Sequence, residues 1–238
     1  MPSPDRTPLL AVLIDADNVP AKHAKQILKE ITTFGEPGLR RVYGDWSNQR
    51  LAGWTRVAQE LGLVQHQQTA NTRGKNASDI GLVIDAMDIL HAGRFDGFVL
   101  VSSDSDFTRL ASRIREHGLT VIGIGEAKAP DALKNACNRF VAIENIAPED
   151  TGPSRTREMS GQTLSEARQL FFDAMEKIDQ EEDEWFPLGR IGQQIQADYP
   201  DFDTRTYGKR KLSDLVADLK VFETKKGPGN QLLVRRVD

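Results

Sequence analysis

Seven consecutive residues, Val101-Ser102-Ser103-Asp104-Ser105-Asp106-Phe107, put two carboxylates and three hydroxyls into one short stretch. Gly97 to Val101 before them is a buried-strand run, and Phe107, Leu110, Ala111 and Ile114 after them fall at helical spacing. A turn from strand to helix in an open parallel sheet lies at the carboxyl edge, where ligands bind. Two ionised aspartates this close repel each other unless a cation sits between them. Hard oxygen donors in such a cluster suit Mg2+ or Mn2+. The same residues also spell a helix start, with Ser103 or Asp104 as N-cap and Asp106 complementing the helix dipole. The choice depends on what the rest of the chain brings to that edge.

Leu9 to Ile14 is an unbroken apolar run, the signature of a strand buried on both faces, and it leads directly into Asp15-Ala16-Asp17-Asn18. In a parallel sheet, its end can lie beside the end of Gly97–Val101, which brings Asp15 next to Asp104 and Asp106. Asp79 is a fourth acid, in the first turn of a helix read from Ser78 to His91. The plain alternative is an acid complementing the dipole, with Ser78 or Asn76 as cap. That helix is read with Ile80, Val83, Ile84, Met87 and Leu90 facing inward. Asp85 and Asp88 then point away from the Asp79 face, as solvent acids. Three acids at one edge of one sheet would bind one or two divalent ions and orient water for attack on a phosphodiester.

The elements needed to hold these residues alternate along the chain. Pro20 suits a helix start, followed by a face of Ala24, Ile27, Leu28 and Ile31 that Gly35 to Gly38 interrupts. Arg40 to Trp46 reads as a strand, Arg50 to Leu61 as a helix, and Leu63 to Thr69 as a more polar strand suited to an edge. Thr72 to Asn76 is a polar loop containing Lys75. After the central turn come a strand at Leu119 to Gly125, a short helix at Asp131 to Cys137 and a strand at Phe140 to Ile143. Strand and helix alternating over residues 9–146 imply an α/β domain with a mainly parallel sheet.

Residues 147–162 are rich in Pro, Gly and Ser and read as a linker. Beyond it, residues 163–238 have a different texture. Leu164, Ala167, Phe171, Met175 and Ile178 mark one amphipathic helix, and Leu188, Ile191 and Ile195 a second. A third spans Thr204 to Leu219, with Leu212, Leu215, Val216 and Leu219 inward. Val221–Thr224 and Leu232–Arg235 can pair as a hairpin across Lys225-Lys226-Gly227-Pro228-Gly229. Three helices and a hairpin form a winged helix-turn-helix plan, used on nucleic acid and on protein alike.

The 238 residues carry a net charge of -4, which argues against broad coating of nucleic acid. The charge is uneven, however. Asp173 to Glu184 is acidic, while residues 205–238 hold nine Lys and Arg against four Asp and Glu. The single cysteine, Cys137, excludes a disulfide framework or a cysteine-rich zinc site and reads as a small buried residue. Met1 to Pro8 has three prolines and no apolar run, so no signal peptide is expected. No stretch reaches the roughly 20 apolar residues of a membrane span. The expectation is a cytoplasmic protein without a membrane partner, with homo-oligomerisation left open.

Three stretches together carry a resemblance. Ile14-Asp15-Ala16-Asp17-Asn18, Lys75-Asn76-Ala77-Ser78-Asp79 and the Val101–Phe107 motif look like the three motifs of the NYN family, the LabA-like members of the PIN nuclease superfamily. The resemblance covers about residues 9–146. It implies a PIN-like, Rossmannoid fold and a metal-dependent ribonuclease using Mg2+ or Mn2+. The resemblance implies Asp15, Asp79, Asp104 and Asp106 as the catalytic and metal-binding set. By the same resemblance, Asn18 and Ser103 would support them by holding an acid or a phosphate. Lys75 stands where it can meet a phosphate, or it is simply a solvated loop lysine. Asp17 is left outside the set.

Residues 164–237 are similar to the OST-HTH, or LOTUS, domain through Tyr199-Pro200-Asp201-Phe202 and Tyr207-Gly208 ahead of the leucine-spaced helix. That resemblance implies RNA as the partner. Arg205, Lys209, Arg210 and Lys211 would meet phosphates from the third helix, and Lys225 and Lys226 from the wing. A basic run at a helix start is also commonly a solvated face. Tyr207 either stacks on a base or packs against the helix. The acidic 173–184 stretch would confine RNA to one side.

Two other readings compete with a ribonuclease. One is a haloacid-dehalogenase-like phosphatase using Asp15 and Asp17, although the later acidic pair that such an enzyme needs is missing after Asp106. The other keeps the fold but makes the chain a catalytically idle RNA- or protein-binding regulator. A dinucleotide enzyme is disfavoured, because no glycine-rich turn follows the first strand.

Overall fold

A computed structural model of the chain describes residues 6–47, 49–67, 77–147, 161–178 and 184–237. The chain divides into two compact units, residues 1–149 and 150–238. Most of the stretch read as a linker, and the Thr72–Asn76 loop with Lys75, lie outside the described residues.

In the first unit six strands form one sheet: β1 (Leu9–Asp15), β2 (Glu36–Gly44), β3 (Val64–Gln67), β4 (Gly97–Val101), β5 (Thr120–Gly125) and β6 (Arg139–Ala142). They are ordered β3-β2-β1-β4-β5-β6. Every pairing is parallel. The chain leaves β1 toward β2 on one side and returns to β4 on the other, so the β1/β4 crevice is the topological switch point of a doubly wound sheet. Three helices cover one face: α1 (Ala24–Ile31), α2 (Ala52–Leu61) and the short α6 (Ile143–Ile146). Another three cover the opposite face: α3 (Ala77–His91), α4 (Thr108–Glu116) and α5 (Asp131–Ala136). Leu10, Val12 and Ile14 of β1 point into the first layer, and Ala11 and Leu13 into the second. This is why β1 reads as continuously apolar: it is buried on both sides.

Two features depart from the sequence reading. The first helix ends at Ile31, ahead of Gly35 to Gly38, but β2 begins at Glu36 and not at Arg40, so the strand runs through Gly38. The glycines are there for close approach: a side chain at Gly38 would run into Leu9 of β1. The inward face of α3 is also rotated from the expected one. Leu82, Ala86, Ile89 and Leu90 are buried and Val83 and Met87 partly so, whereas Ile80 and Ile84 are 61% and 58% exposed. This helix is apolar around most of its circumference, so spacing alone cannot choose its face. A polar clamp fixes it instead. Asp85 accepts hydrogen bonds from Arg41 and from the Tyr43 hydroxyl of β2. Asp85 is therefore a half-buried anchor and not the solvent acid expected, while Asp88 is exposed as expected. Burial and the neighbouring Asp85 carboxylate push the Tyr43 phenol above its ordinary pKa.

The second unit packs α7 (Gly161–Lys177), α8 (Leu188–Asp198) and α9 (Leu212–Leu219) with a three-stranded antiparallel sheet. Its strands are β7 (Phe186–Pro187), β8 (Phe222–Lys226) and β9 (Leu232–Arg236), in the order β7-β9-β8. Ala167, Phe171, Ile191, Ile195, Leu215, Val216 and Val234 fill the core. The expected hairpin is present, and β7 adds a third strand too short to show a period of two. The long third helix is divided. A 3-10 turn at Thr204–Tyr207 ends at Gly208, whose φ of 69° is left-handed, and α9 starts only at Leu212. Cys137 is buried, with its thiol pushed up to about 12 by burial.

Candidate acidic site and nucleic-acid interface

Register places the candidate site. Ile14 of β1 lies opposite Val101 of β4, so Asp15 and Ser102 leave the sheet side by side at the switch point. Asp15 is 1% exposed and fully engaged. One carboxylate oxygen accepts from the Asn18 Nδ2 at 2.7 Å and the Ser102 hydroxyl at 2.8 Å. The other accepts the backbone N–H groups of Asp17 at 3.1 Å and Asn18 at 3.3 Å. Burial raises the pKa of Asp15, and the bonds from Asn18 and Ser102 oppose that rise.

The turn after β4 is built on the same serine. Ser102 Oγ donates to Asp15 and accepts the Asp104 N–H at 3.1 Å, and Asp104 in turn accepts the Asp106 N–H at 2.9 Å. Asp104 therefore caps the short 3-10 turn Ser105–Phe107 that leads into α4. The helix-start reading of this motif is correct as local structure, yet it does not use up the acids. Carboxylate oxygens of Asp79, Asp104 and Asp106 all lie within 4.8 Å of one another. Asp79 reaches them from the first turn of α3. Its pKa is pushed up to about 6, chiefly by burial and then by the charges of Asp15, Asp104, Asp106 and Asp17.

Asn18 and Ser103 divide their expected duties. Asn18 holds an acid, Asp15. Ser103 Oγ accepts the Glu126 N–H at 2.8 Å and so ties the turn to the end of β5. That approach is close enough that a side chain at Gly125 would meet the Ser102 carbonyl. Sequence reasoning missed Ser102, the residue that joins Asp15 to Asp104. Its position next to the end of β4, two residues before Asp104, was the available signal. Lys75 falls among the residues not described.

The basic residues of the second unit fall into two groups. Arg205 forms a fork on Asp203, which is 6% exposed, with Nη2 at 2.6 Å and Nε at 3.0 Å. Lys209 pairs with Asp218. Arg210, Lys211 and Lys226 are exposed. Lys225 lies over the Trp185 ring at 4.1 Å, and Arg235 over the same ring at 4.9 Å. Tyr207 is buried and packs 6.0 Å from Phe202, as its packing alternative had it.

Comparison with known proteins agrees with this architecture. One solved structure, a protein of unknown function, VPA0982, from Vibrio parahaemolyticus RIMD 2210633, is 23% identical with a TM-score of 0.50. The match covers 60% of this chain and 96% of that one, and it shows the fold. MurG from Acinetobacter baumannii is 10% identical over 82% of this chain and 65% of that one, with a TM-score of 0.39, too low to carry weight. Among curated proteins, none matches the chain. Among the described residues, no helix is long and apolar enough to cross a membrane. The family model of the OST-HTH/LOTUS domain matches residues 163–234. The family model of the NYN domain, a PIN-like fold, matches residues 9–144, more than half of the sequence, and the chain belongs to the NYN family.

Proposed function

We propose that the chain is a metal-dependent ribonuclease whose first unit hydrolyses RNA phosphodiester bonds and whose second unit holds the RNA. The observation that carries this reading is the convergence of Asp79, Asp104 and Asp106 within 4.8 Å at the switch point of the sheet. Three ionised carboxylates there repel one another, and that repulsion adds to the burial that raises the pKa of Asp79. A folded chain keeps such a cluster at a cost that a divalent cation would offset. The donors are hard oxygens, which fit Mg2+ or Mn2+, and Asp79, Asp104 and Asp106 would hold the ion. A bound ion of this kind would polarise a phosphoryl oxygen and lower the pKa of its own bound water, making a hydroxide nucleophile available at neutral pH.

The surrounding residues position those acids. Ser102 and Asn18 fix Asp15, and Ser102 fixes the backbone of Asp104. Asp15 adds negative charge from the floor of the site. To become a direct ligand itself, it would have to give up one of its hydrogen bonds. Its burial and saturation also disfavour the phosphatase reading, in which this carboxylate attacks the substrate. In the second unit, Arg210, Lys211, Lys225 and Lys226 are the exposed cations that would meet phosphates. The test is cleavage of labelled single-stranded RNA by the full chain in Mn2+, with and without EDTA. Metal-dependent cutting supports the ribonuclease. RNA binding without cutting in either condition would point to the idle regulator.

A further inference from the structure

The loop that carries Asp15 and Asn18 toward the acid cluster has a second side. There it walls a cavity of about 230 Å³ together with the start of α2. Leu51 and Trp54 give this cavity a buried apolar floor. The Trp54 ring is fixed by its indole N–H, which donates to the Val19 carbonyl at 2.7 Å. Gly44 allows the wall to close, since a side chain there would run into Leu51 and Ala16. Asp17, Asn18 and Arg50 are the polar lining residues, and Arg50 is exposed. Asn18 belongs to both sites: it lines this cavity while its Nδ2 holds Asp15 at 2.7 Å.

The volume falls below the roughly 300 Å³ at which pockets for drug-sized ligands begin. It suits a single planar ring system, and the apolar floor suits the face of one. An RNA strand with a phosphate at the acid cluster presents its neighbouring base within one nucleotide of that phosphate. Asp17 repels a phosphate, so the backbone must pass on the Arg50 side. We propose that the cavity is a base-binding subsite, taking the nucleobase next to the scissile phosphate while Arg50 contacts the adjoining phosphate. The proposal rests on the ribonuclease reading above and adds to it a place where the substrate is gripped in the first unit.

Gly53 provides the test. A Cβ there meets nothing closer than the Ala21 Cβ at 3.7 Å, so Gly53→Leu can occupy the cavity without forcing the fold apart. Gly53→Ala is the control, because Gly to Ala favours a helix on its own. In the full chain carrying Asp104→Asn, a short single-stranded RNA is bound with one abasic position moved along it. One position should lower affinity roughly tenfold, in keeping with the loss of one packed base. In Gly53→Leu that same abasic position should cost nothing further, the signature of a coupled pair. Arg50→Ala should make the salt dependence of binding shallower by about 0.7 in log–log slope, one phosphate contact on a single strand. If the wild type cuts RNA but no abasic position couples to Gly53→Leu, the subsite is wrong and the ribonuclease reading stands. If the wild type neither binds nor cuts RNA, both are wrong.

Discussion

Asp79→Asn should stabilise the metal-free chain, by an amount that grows as pH rises from the unfolded to the folded titration of the residue it removes. The unfolded carboxyl titrates near 3.8, and in the folded chain it titrates near 6. Between those values the native chain holds a proton that the unfolded chain has released. Stability therefore falls as pH rises through this window and stays lost above it. A displacement of that size is worth at most about 3 kcal/mol. Asp79 is half exposed, and solvent screening leaves about 1–2 kcal/mol. Asparagine carries no charge at any pH, so the variant escapes the loss. Urea titrations followed by tryptophan fluorescence report on both units, through Trp46 and Trp54 in the first and Trp185 in the second. The advantage of Asp79→Asn in the first-unit transition should be near zero at about pH 3, below both titrations, and about 1–2 kcal/mol at about pH 7.5. Mn2+ should raise the wild-type midpoint at pH 7.5 by mass action and barely move the variant. A variant less stable than wild type at pH 7.5, or an advantage that does not vary with pH, would refute the burial and charge crowding that raise the pKa of Asp79.

Ser102→Ala removes the hydroxyl shared by Asp15 and the Asp104 N–H, so it should cost about 1–3 kcal/mol and lower cleavage even though the acids remain. Unchanged urea midpoints would show that the serine is not the joint described. Asp85→Ala leaves Arg41 and Tyr43 without their shared carboxylate and should cost about 2–3 kcal/mol in the first unit; a loss under about 0.5 kcal/mol in the same titration would count against the clamp. In the second unit, Arg210→Ala, Lys211→Ala and Lys226→Ala together should flatten the salt dependence of RNA binding by about 2 in log–log slope without a loss of stability. Arg205→Ala should instead destabilise the unit, because it strands the buried Asp203.

The parts of the fold legible in the sequence were those with a strong period or a strong breaker. Leu9–Ile14 and Gly97–Val101 read as short buried strands, and a parallel sheet that pairs them brings Asp15 and the double-aspartate turn together. α3 was legible as a helix but not as to its orientation. Apolar residues surround it, and the polar contacts of Asp85 that orient it come from β2, far away in the chain. The start of β2 reads as Arg40 and not as Glu36 because sequence cannot distinguish a glycine needed for a turn from one, like Gly38, needed for close packing against Leu9. Arg205 and Arg210 look equally suited to phosphate in sequence. Only the fold shows that Arg205 is committed to Asp203. The cavity beside Trp54 gave no sequence signal, since its lining residues come from two separate stretches that the sheet brings together.

If the acid cluster is the seat of cleavage, three full-length chains should differ in one way on labelled single-stranded RNA. Wild type and Asp17→Asn should both cut in Mn2+ and both stop in EDTA. Asp104→Asn should not cut in either condition, while still binding RNA and unfolding at no lower urea concentration than wild type. Cutting by Asp104→Asn, or undiminished cutting by wild type in EDTA, would contradict a metal-dependent site built on Asp79, Asp104 and Asp106.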